Sequence, residues 1–403
     1  MLTLPRVITP VLRNLSRARG KISLMIPRKN TVASPLWAGF DGKTLSPGLA
    51  AWLAKGLVGG VVLFARNIDS PDQVRSLCRE IKAAVKPGNP SPLIAVDQEG
   101  GRVARFRNPP YTEFPPARAC SLFGNTSADI ARSFGESVGS ELRAAGIDID
   151  FAPVLDVDTN PVNPVIGDRS FSNKPDEAGQ LGMEFATGLM ARGILPVGKH
   201  FPGHGDTSSD SHEELPVVTA DLKTLSAREL VPFRRAIRKG IPALMTAHIV
   251  YPALDPSLPA TLSGKIIKGL LRKTMRFRGA IFSDALEMKA ISGRWNIGEA
   301  AFLAVTAGCD VVLICRGEDM QAEAIDRLER EARDDVTFRR LLETAALRSG
   351  RLRTLMASRN QRRPDSRSIG SLRNKKVSAL LLERWADTGR TCRGDRSGNI
   401  GED

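Results

Sequence analysis

Eight short, uninterrupted apolar runs punctuate the chain: LWAGF (36–40), GGVVLFA (59–65), PLIAV (92–96), IDIDFAPVL (147–155), ILPVGK (194–199), PALMTA (242–247), GAIFS (279–283) and CDVVLIC (309–315). Continuous apolar runs, as opposed to strict alternation, suit parallel strands buried on both faces. Between them lie longer stretches with apolar residues three and four apart, among them PDQVRSLCREIKAAV, SADIARSFGESVGSELRAAG, ADLKTLSARELVPFRRAIRKG and SGKIIKGLLRKTM. That spacing is the period of helices packed by one face. Several of these stretches open on Ser, Asp or Pro and end at Gly, as capped helices do. Eight strand–helix units are the count of a closed (β/α)8 barrel of the TIM type, an α/β fold. Periodicity by itself leaves an open doubly wound sheet as the rival. In a barrel, the polar residues that follow the strands gather at the carboxyl-end rim: Asp41, Arg66, Asp97, Asp156, His200, His248 and Asp284.

The expected organisation is a basic N-terminal arm over 1–34, one catalytic barrel over 35–346 and a polar, basic tail over 347–403. The formal charge of +14 sits at the ends: residues 1–40 hold seven basic side chains and no acid, and residues 347–403 hold fourteen basic and six acidic ones. The centre is therefore close to neutral. A nucleic-acid-binding fold carries its basic stripe on the core, so no nucleic-acid partner is expected there. A tail that touches nucleic acid or an anionic membrane is the lesser alternative to a solvated, poorly ordered arm. Within the C-terminal tail, only VSALLLERWA (377–386) reads as a short amphipathic helix.

Five scattered cysteines, Cys78, Cys120, Cys309, Cys315 and Cys392, never fall in CxxC spacing. They predict neither a disulfide framework nor a zinc knuckle, and they point to a reducing, cytoplasmic setting. No apolar run reaches the 18 residues of a membrane span, and the N-terminal pieces VITPVL and ISLMIP are shorter than a secretory signal core.

Three of the four histidines fall within KHFPGHGDTSSDSHEELP (199–216). Lys199 and His200 end the fifth apolar run, and the loop beyond carries Asp210 two residues before His212. A nearby carboxylate fixes the tautomer of an imidazole and raises its pKa, so such a pair can donate a proton at one step and take one at the next. Gly203, Gly205, Ser208 and Ser209 are expected to let this loop swing over a ligand. His200 and His204 are four apart, but that spacing clamps zinc only on a helix, and Pro202 with two glycines argues against one. No metal is expected.

In IFSDALEM, Asp284 follows a strand directly and reads as a nucleophile, base or metal ligand, with a plain helix-capping Asp as the rival. In IAVDQEGGRVARF, Asp97 ends a strand, and Gly100 with Gly101 allows a tight turn that returns Arg102 and Arg105 to the rim. Asp beside Arg suits a polyol, with a structural salt bridge as the alternative. GDRSF adds Arg169.

Together DQEGGRV, GDRSF, KHFPGHGDTSSDSHEELP, AHIVYPALDPSLPATLS and FSDALEM resemble, in order and spacing, the glycoside hydrolase family 3 β-N-acetylhexosaminidases, which recycle bacterial cell-wall fragments. The likeness runs over about residues 36 to 330. It implies that Asp284 is the nucleophile of a retaining exo-glycosidase and that His212 with Asp210 is its acid/base pair. It further implies that Asp97, Arg105, Arg169, Lys199 and His200 hold an N-acetylglucosamine unit, with no cofactor and a small saccharide or muropeptide as partner. The chain departs from many relatives at Ala285, where they carry a second Asp, and in its basic tails. A glycoside phosphorylase, another family 3 β-glycosidase and a silent saccharide-binding barrel are the alternatives.

Overall fold

The computed structural model describes residues 34–208, 210–211, 214–359 and 365–390. Its strands are β1 (Leu36–Ala38), β2 (Gly60–Leu63), β3 (Leu93–Val96), β4 (Gln98–Gly100), β5 (Val103–Ala104), β6 (Ile149–Asp150), β7 (Leu195–Phe201), β8 (Ala243–Thr246), β9 (Ala280–Ala285) and β10 (Val311–Ile314). Eight of them close into a parallel barrel in the order β1-β10-β9-β8-β7-β6-β3-β2, each within one of the eight apolar runs or overlapping it. The open sheet is thereby excluded. β3 and β9 stand four places apart in this ring and face each other across the mouth.

The barrel interior is filled by alternate side chains of the strands, including Trp37, Val62, Phe151, Val197, Met245, Phe282 and Leu313. The Trp37 and Phe151 rings both meet Phe282 edge-on, at 5.1 and 5.7 Å. The opposite strand faces pack against the helices, which is why the runs show no alternation. At the amino-end of the barrel the helix Val336–Arg359 adds Leu352 and Met356 to the interior cluster. There Arg353 donates to the Ser91 carbonyl at 2.7 Å. The stopper closes the end remote from the rim where the polar residues gather.

Helix caps fall where the sequence signals them. Ser70 accepts from the Gln73 amide ahead of the helix Pro71–Ala83, and Gly146 ends Ser127–Ala145 in the left-handed conformation. The stretch 220–240 departs from the expected single helix by breaking into Leu222–Ala227 and Leu230–Arg238. Pro232 cannot donate the intrahelical bond that would join the two pieces.

The segment expected to be a poorly ordered tail is in part a docked helix, Leu372–Ala386, longer than the 377–386 stretch that reads as amphipathic. Leu381 and Trp385 are buried against the barrel. Gly370 and Asn374 both donate to the buried Glu141 carboxylate, at 2.9 and 3.1 Å. These apolar residues find their partner surface on a helix more than two hundred positions earlier, which local composition does not reveal. The expected N-terminal arm, 1–34, lies outside the described residues except for Ser34.

Candidate active site

A cavity of about 440 Å³ opens at the carboxyl ends of the strands, within the size range of small-molecule sites. Asp97, Arg105, Arg169, Lys199, His200 and Asp284 all line it. Strand geometry explains the convergence: Asp97 leaves the end of β3, Lys199 and His200 lie in β7, and Asp284 lies in β9.

One wall is an ion network. Lys199 Nζ sits 2.6 Å from Asp97 Oδ1 and 2.7 Å from Glu99 Oε1. Arg169 grips Glu99 with both arms of its fork, each at 2.8 Å, and spends a third nitrogen on the Val165 carbonyl. Arg105 approaches Asp97 at 3.7 Å, so the closer partner of Asp97 is the lysine and not the arginine that its own segment supplies. Burial opposes the charge on Glu99, but Arg169 and Lys199 outweigh it and hold the carboxyl far below its ordinary value. Burial likewise opposes the Lys199 ammonium, and Asp97 and Glu99 hold its pKa above the usual lysine value. Glu99, Arg169 and Lys199 are therefore charged in the working range. Removing one cation from such a buried group strands an anion. Lys199→Ala is expected to cost about 3–5 kcal/mol of stability, measured by denaturant unfolding, in addition to any loss of sugar affinity.

The turn that carries Glu99 and Arg105 is a hairpin, β4 paired antiparallel with β5. Its Gly101 has φ +56°, and a Cβ there would strike Pro116 at 2.8 Å. Gln98 pins the returning strand, its Oε1 accepting from the amides of Arg105 and Phe106 at 2.8 and 3.0 Å. Arg102 does not reach the cavity wall. Its guanidinium holds the loop before Arg169 through the carbonyls of Pro164, Val165 and Ile166.

His200 is fixed by Asp156, which is fully buried and lies 2.6 Å from its Nδ1. This contact places a proton on Nδ1 and leaves Nε2 to the cavity. Burial opposes the Asp156 charge, and His200 leads the contacts that nonetheless keep its carboxyl below the ordinary value. Asp284 accepts at Oδ1 from the Ala285 amide at 2.8 Å. Burial again works against its charge, while His248, His200 and that amide keep it ionised, with its pKa below the usual range. His248 Nε2 donates to the Ala285 carbonyl at 2.9 Å. These two contacts use the backbone of residue 285, so the absence of a second carboxylate there leaves them intact.

The loop after β7 is rooted firmly. A Cβ on Gly205 would lie 1.6 Å from the Val157 carbonyl oxygen, and one on Gly203 would meet Glu229 at 2.7 Å. These two glycines permit close packing; they are not the hinges expected from the sequence. His204 stays neutral, since burial and then the neighbouring His200 push its pKa down to about 4. Its Nε2 meets Ser211 Oγ at 3.1 Å. The Ser211 carbonyl in turn accepts from Ala290 at 3.3 Å, so the loop is tied to the segment that follows Asp284. Ser211 lines the cavity; Asp210 is half-buried outside its lining. His212 lies outside the described residues.

Sequence reasoning assigned no role to Glu99, the hub of the ion network, or to Asp156. The signal for Asp156 was present in its position after an apolar run; Glu99 offered none beyond adjacency to Asp97. Among the described residues no group of three or more His, Cys, Asp or Glu is arranged to hold a metal ion, and no helix is long and apolar enough to cross a membrane.

Residues 38–343 match the family model described as the glycosyl hydrolase family 3 N terminal domain. A β-hexosaminidase of Nitrosomonas eutropha is 41% identical over 301 residues, 74% of this chain and 85% of that protein. A family 3 β-N-acetylglucosaminidase from Paenibacillus sp. str. FPU-7 superimposes with a TM-score of 0.81 at 37% identity, covering 87% of this chain and 67% of that one. NagZ from Neisseria gonorrhoeae, solved in complex with N-trifluoroacetyl-D-glucosamine, gives 0.74 at 32% identity, covering 88% and 99%.

Proposed function

Because the chain belongs to glycosyl hydrolase family 3, as a glycoside hydrolase of the β-N-acetylhexosaminidase type, we propose that it is a retaining exo-β-N-acetylglucosaminidase. It removes terminal N-acetylglucosamine from peptidoglycan-derived muropeptides in the cytoplasm. The observation that carries this reading is the convergence of an ionised carboxylate, Asp284, with the Asp97–Lys199–Glu99–Arg169 network and the oriented His200 in one cavity.

Asp284 attacks the anomeric carbon. As the glycosidic bond breaks, its oxygen takes a proton from His212, whose imidazolium is stabilised by Asp210. The product of this step is a glycosyl ester on Asp284. Water then attacks the same carbon, neutral His212 takes the water's proton, and the sugar leaves with its configuration retained. An imidazole in this office is unusual, since most glycosidases use a second carboxylate. The tie between Ser211, one residue before His212, and the segment after Asp284 supports it. Asp97, Arg105, Arg169, Lys199 and His200 hold the sugar's hydroxyl and acetamido oxygens, contacts that lower the barrier where they tighten as the ring flattens. Lys289 and Arg316 on the cavity wall suit an aglycone that bears carboxylates. Four described cysteines are buried free thiols, in keeping with a reducing compartment.

The test is the purified protein with 4-nitrophenyl N-acetyl-β-glucosaminide. Nitrophenol release with the β-anomer as first product, at a rate indifferent to phosphate, is expected. A sugar 1-phosphate formed in phosphate buffer would identify a phosphorylase instead, and no release at all a silent binding barrel.

A further inference from the structure

The helix Leu372–Ala386 lies beyond the residues matched by the family model, and no step above employs it. It docks on one side of a strip of chain, 110–116, whose other side carries the β4–β5 hairpin. On the hairpin side, the Gly101 amide donates to the Phe114 carbonyl at 2.9 Å. A Cβ on Gly100 would lie 2.5 Å from the Pro115 carbonyl oxygen, and the Phe106 ring meets Tyr111 edge-on at 4.8 Å. On the helix side, the Ser378 hydroxyl donates to the Glu113 carbonyl. Glu141, buried on the helix Ser127–Ala145, ties the same strip to the docked segment. Its carboxyl group accepts from the Thr112 amide at 3.0 Å and from the Thr112 hydroxyl at 2.5 Å, as well as from the Gly370 amide and the Asn374 side chain.

Resting on the glycosidase reading, we propose that this helix is part of the sugar-binding apparatus. Ser378, and Asn374 through Glu141, are positioning residues: they fix the strip 110–116 and thereby the hairpin that presents Glu99 and Arg105 to the sugar. The hairpin cannot hold its own shape. Its strands are three and two residues long, and an isolated pair of that kind is marginal in water. Its place is set by what Gly100, Gly101 and Phe106 rest on. The strip beneath them has no helix or strand of its own, so its place is set in turn by the buried groups that pin it, Glu141 and Ser378. Leu381 and Trp385, buried in the core, keep the helix seated. A shift of about 1 Å passed along this line is felt at the sugar, since a binding group works only when its neighbours lock its geometry.

The experiment compares the full-length wild type, Ser378→Ala, Asn374→Ala and Met356→Ala. The last opens a cavity in the stopper at the amino-end of the barrel, remote from the hairpin, and controls for lost stability alone. Two quantities are read at a temperature where every variant is folded: the dissociation constant for N-acetylglucosamine, and hydrogen exchange of the peptide 98–106 by mass spectrometry. Ser378→Ala and Asn374→Ala are expected to weaken sugar binding about 3- to 10-fold and to speed exchange within 98–106 about tenfold. Met356→Ala is expected to match wild type in both. Should Asn374→Ala fail to fold, Ser378→Ala carries the test by itself. Wild-type sugar affinity or wild-type exchange in Ser378→Ala, or equal losses in Met356→Ala, would overturn the inference and leave the glycosidase reading standing. A wild type that neither binds N-acetylglucosamine nor cleaves its glycosides would overturn that reading, and this one with it.

Discussion

Asp284→Ala is expected to abolish turnover of every glycoside, activated or not, by about 10⁴-fold or more. The carboxylate lies in β9, its pKa below the usual range and its Oδ1 capped by the Ala285 amide, and among the described residues the other carboxyl lining the cavity on its side is Glu287. Burial pushes the neighbouring carboxyl, Glu287, up to about 7, so it is only partly ionised at neutral pH and is a poor substitute nucleophile. Since the loss belongs to the first chemical step, kcat and kcat/KM fall together and an aryl leaving group restores nothing. Asp284→Asn keeps the shape and loses the charge, so it is expected to fall by a similar factor. Thermal unfolding separates this from collapse of the fold: the contacts that hold the Asp284 carboxylate ionised are lost with it, and the variants are expected to melt a few degrees below wild type while remaining cooperatively folded. Steady-state rates on an alkyl and a dinitrophenyl glycoside, side by side with a melting curve, provide the check.

His212→Ala is expected to split the two substrate classes. On an alkyl or saccharide glycoside, whose departing oxygen needs a proton, kcat/KM should drop by about 10²- to 10⁴-fold. On a dinitrophenyl glycoside it should stay within about tenfold of wild type, because bond cleavage there needs little help. Release of the second product still requires a base, so kcat on the dinitrophenyl substrate falls and the ester accumulates. A small anion such as azide needs no base to attack, and it should restore turnover with formation of a β-glycosyl azide. Equal losses on both substrates, with no rescue, would assign the proton transfer to another group. His200 is the first to examine, since Asp156 orients it at 2.6 Å and its Nε2 is left to the cavity.

Much of this was legible in the chain. The eight strands announced themselves because a strand covered on both faces has no polar side to interrupt it, and the residues just beyond those runs are the ones that meet at the rim. Asp97, Lys199, His200 and Asp284 were found in that way. What the sequence hid were pairings between distant positions. The partner of Glu99 is Arg169, seventy positions on, and that of Asp97 is Lys199, more than a hundred on. Either could be written only once the barrel had brought β3 and β7 round to one mouth. Gly203 and Gly205 misled for a related reason. Glycine signals freedom in a loop and close approach in a packed one, and the Val157 carbonyl that decides between them comes from another element. The helix at 377–386 was legible from its amphipathic pattern, whereas its start at Leu372 and its docking through Leu381 and Trp385 were not, because the partner surface lies more than two hundred positions earlier.

The spatial relation of nucleophile and sugar is tested most directly by trapping the ester. A 5-fluoro-N-acetyl-β-glucosaminyl fluoride slows both steps through its ring fluorine but keeps a good leaving group, so the intermediate outlives the first step. Digestion and mass spectrometry of the inactivated protein should find one fluoro-sugar attached to the peptide that contains Asp284, and none in Asp284→Ala. A label on any other residue, or full turnover to the α-anomer with no label at all, would contradict a retaining mechanism centred on Asp284.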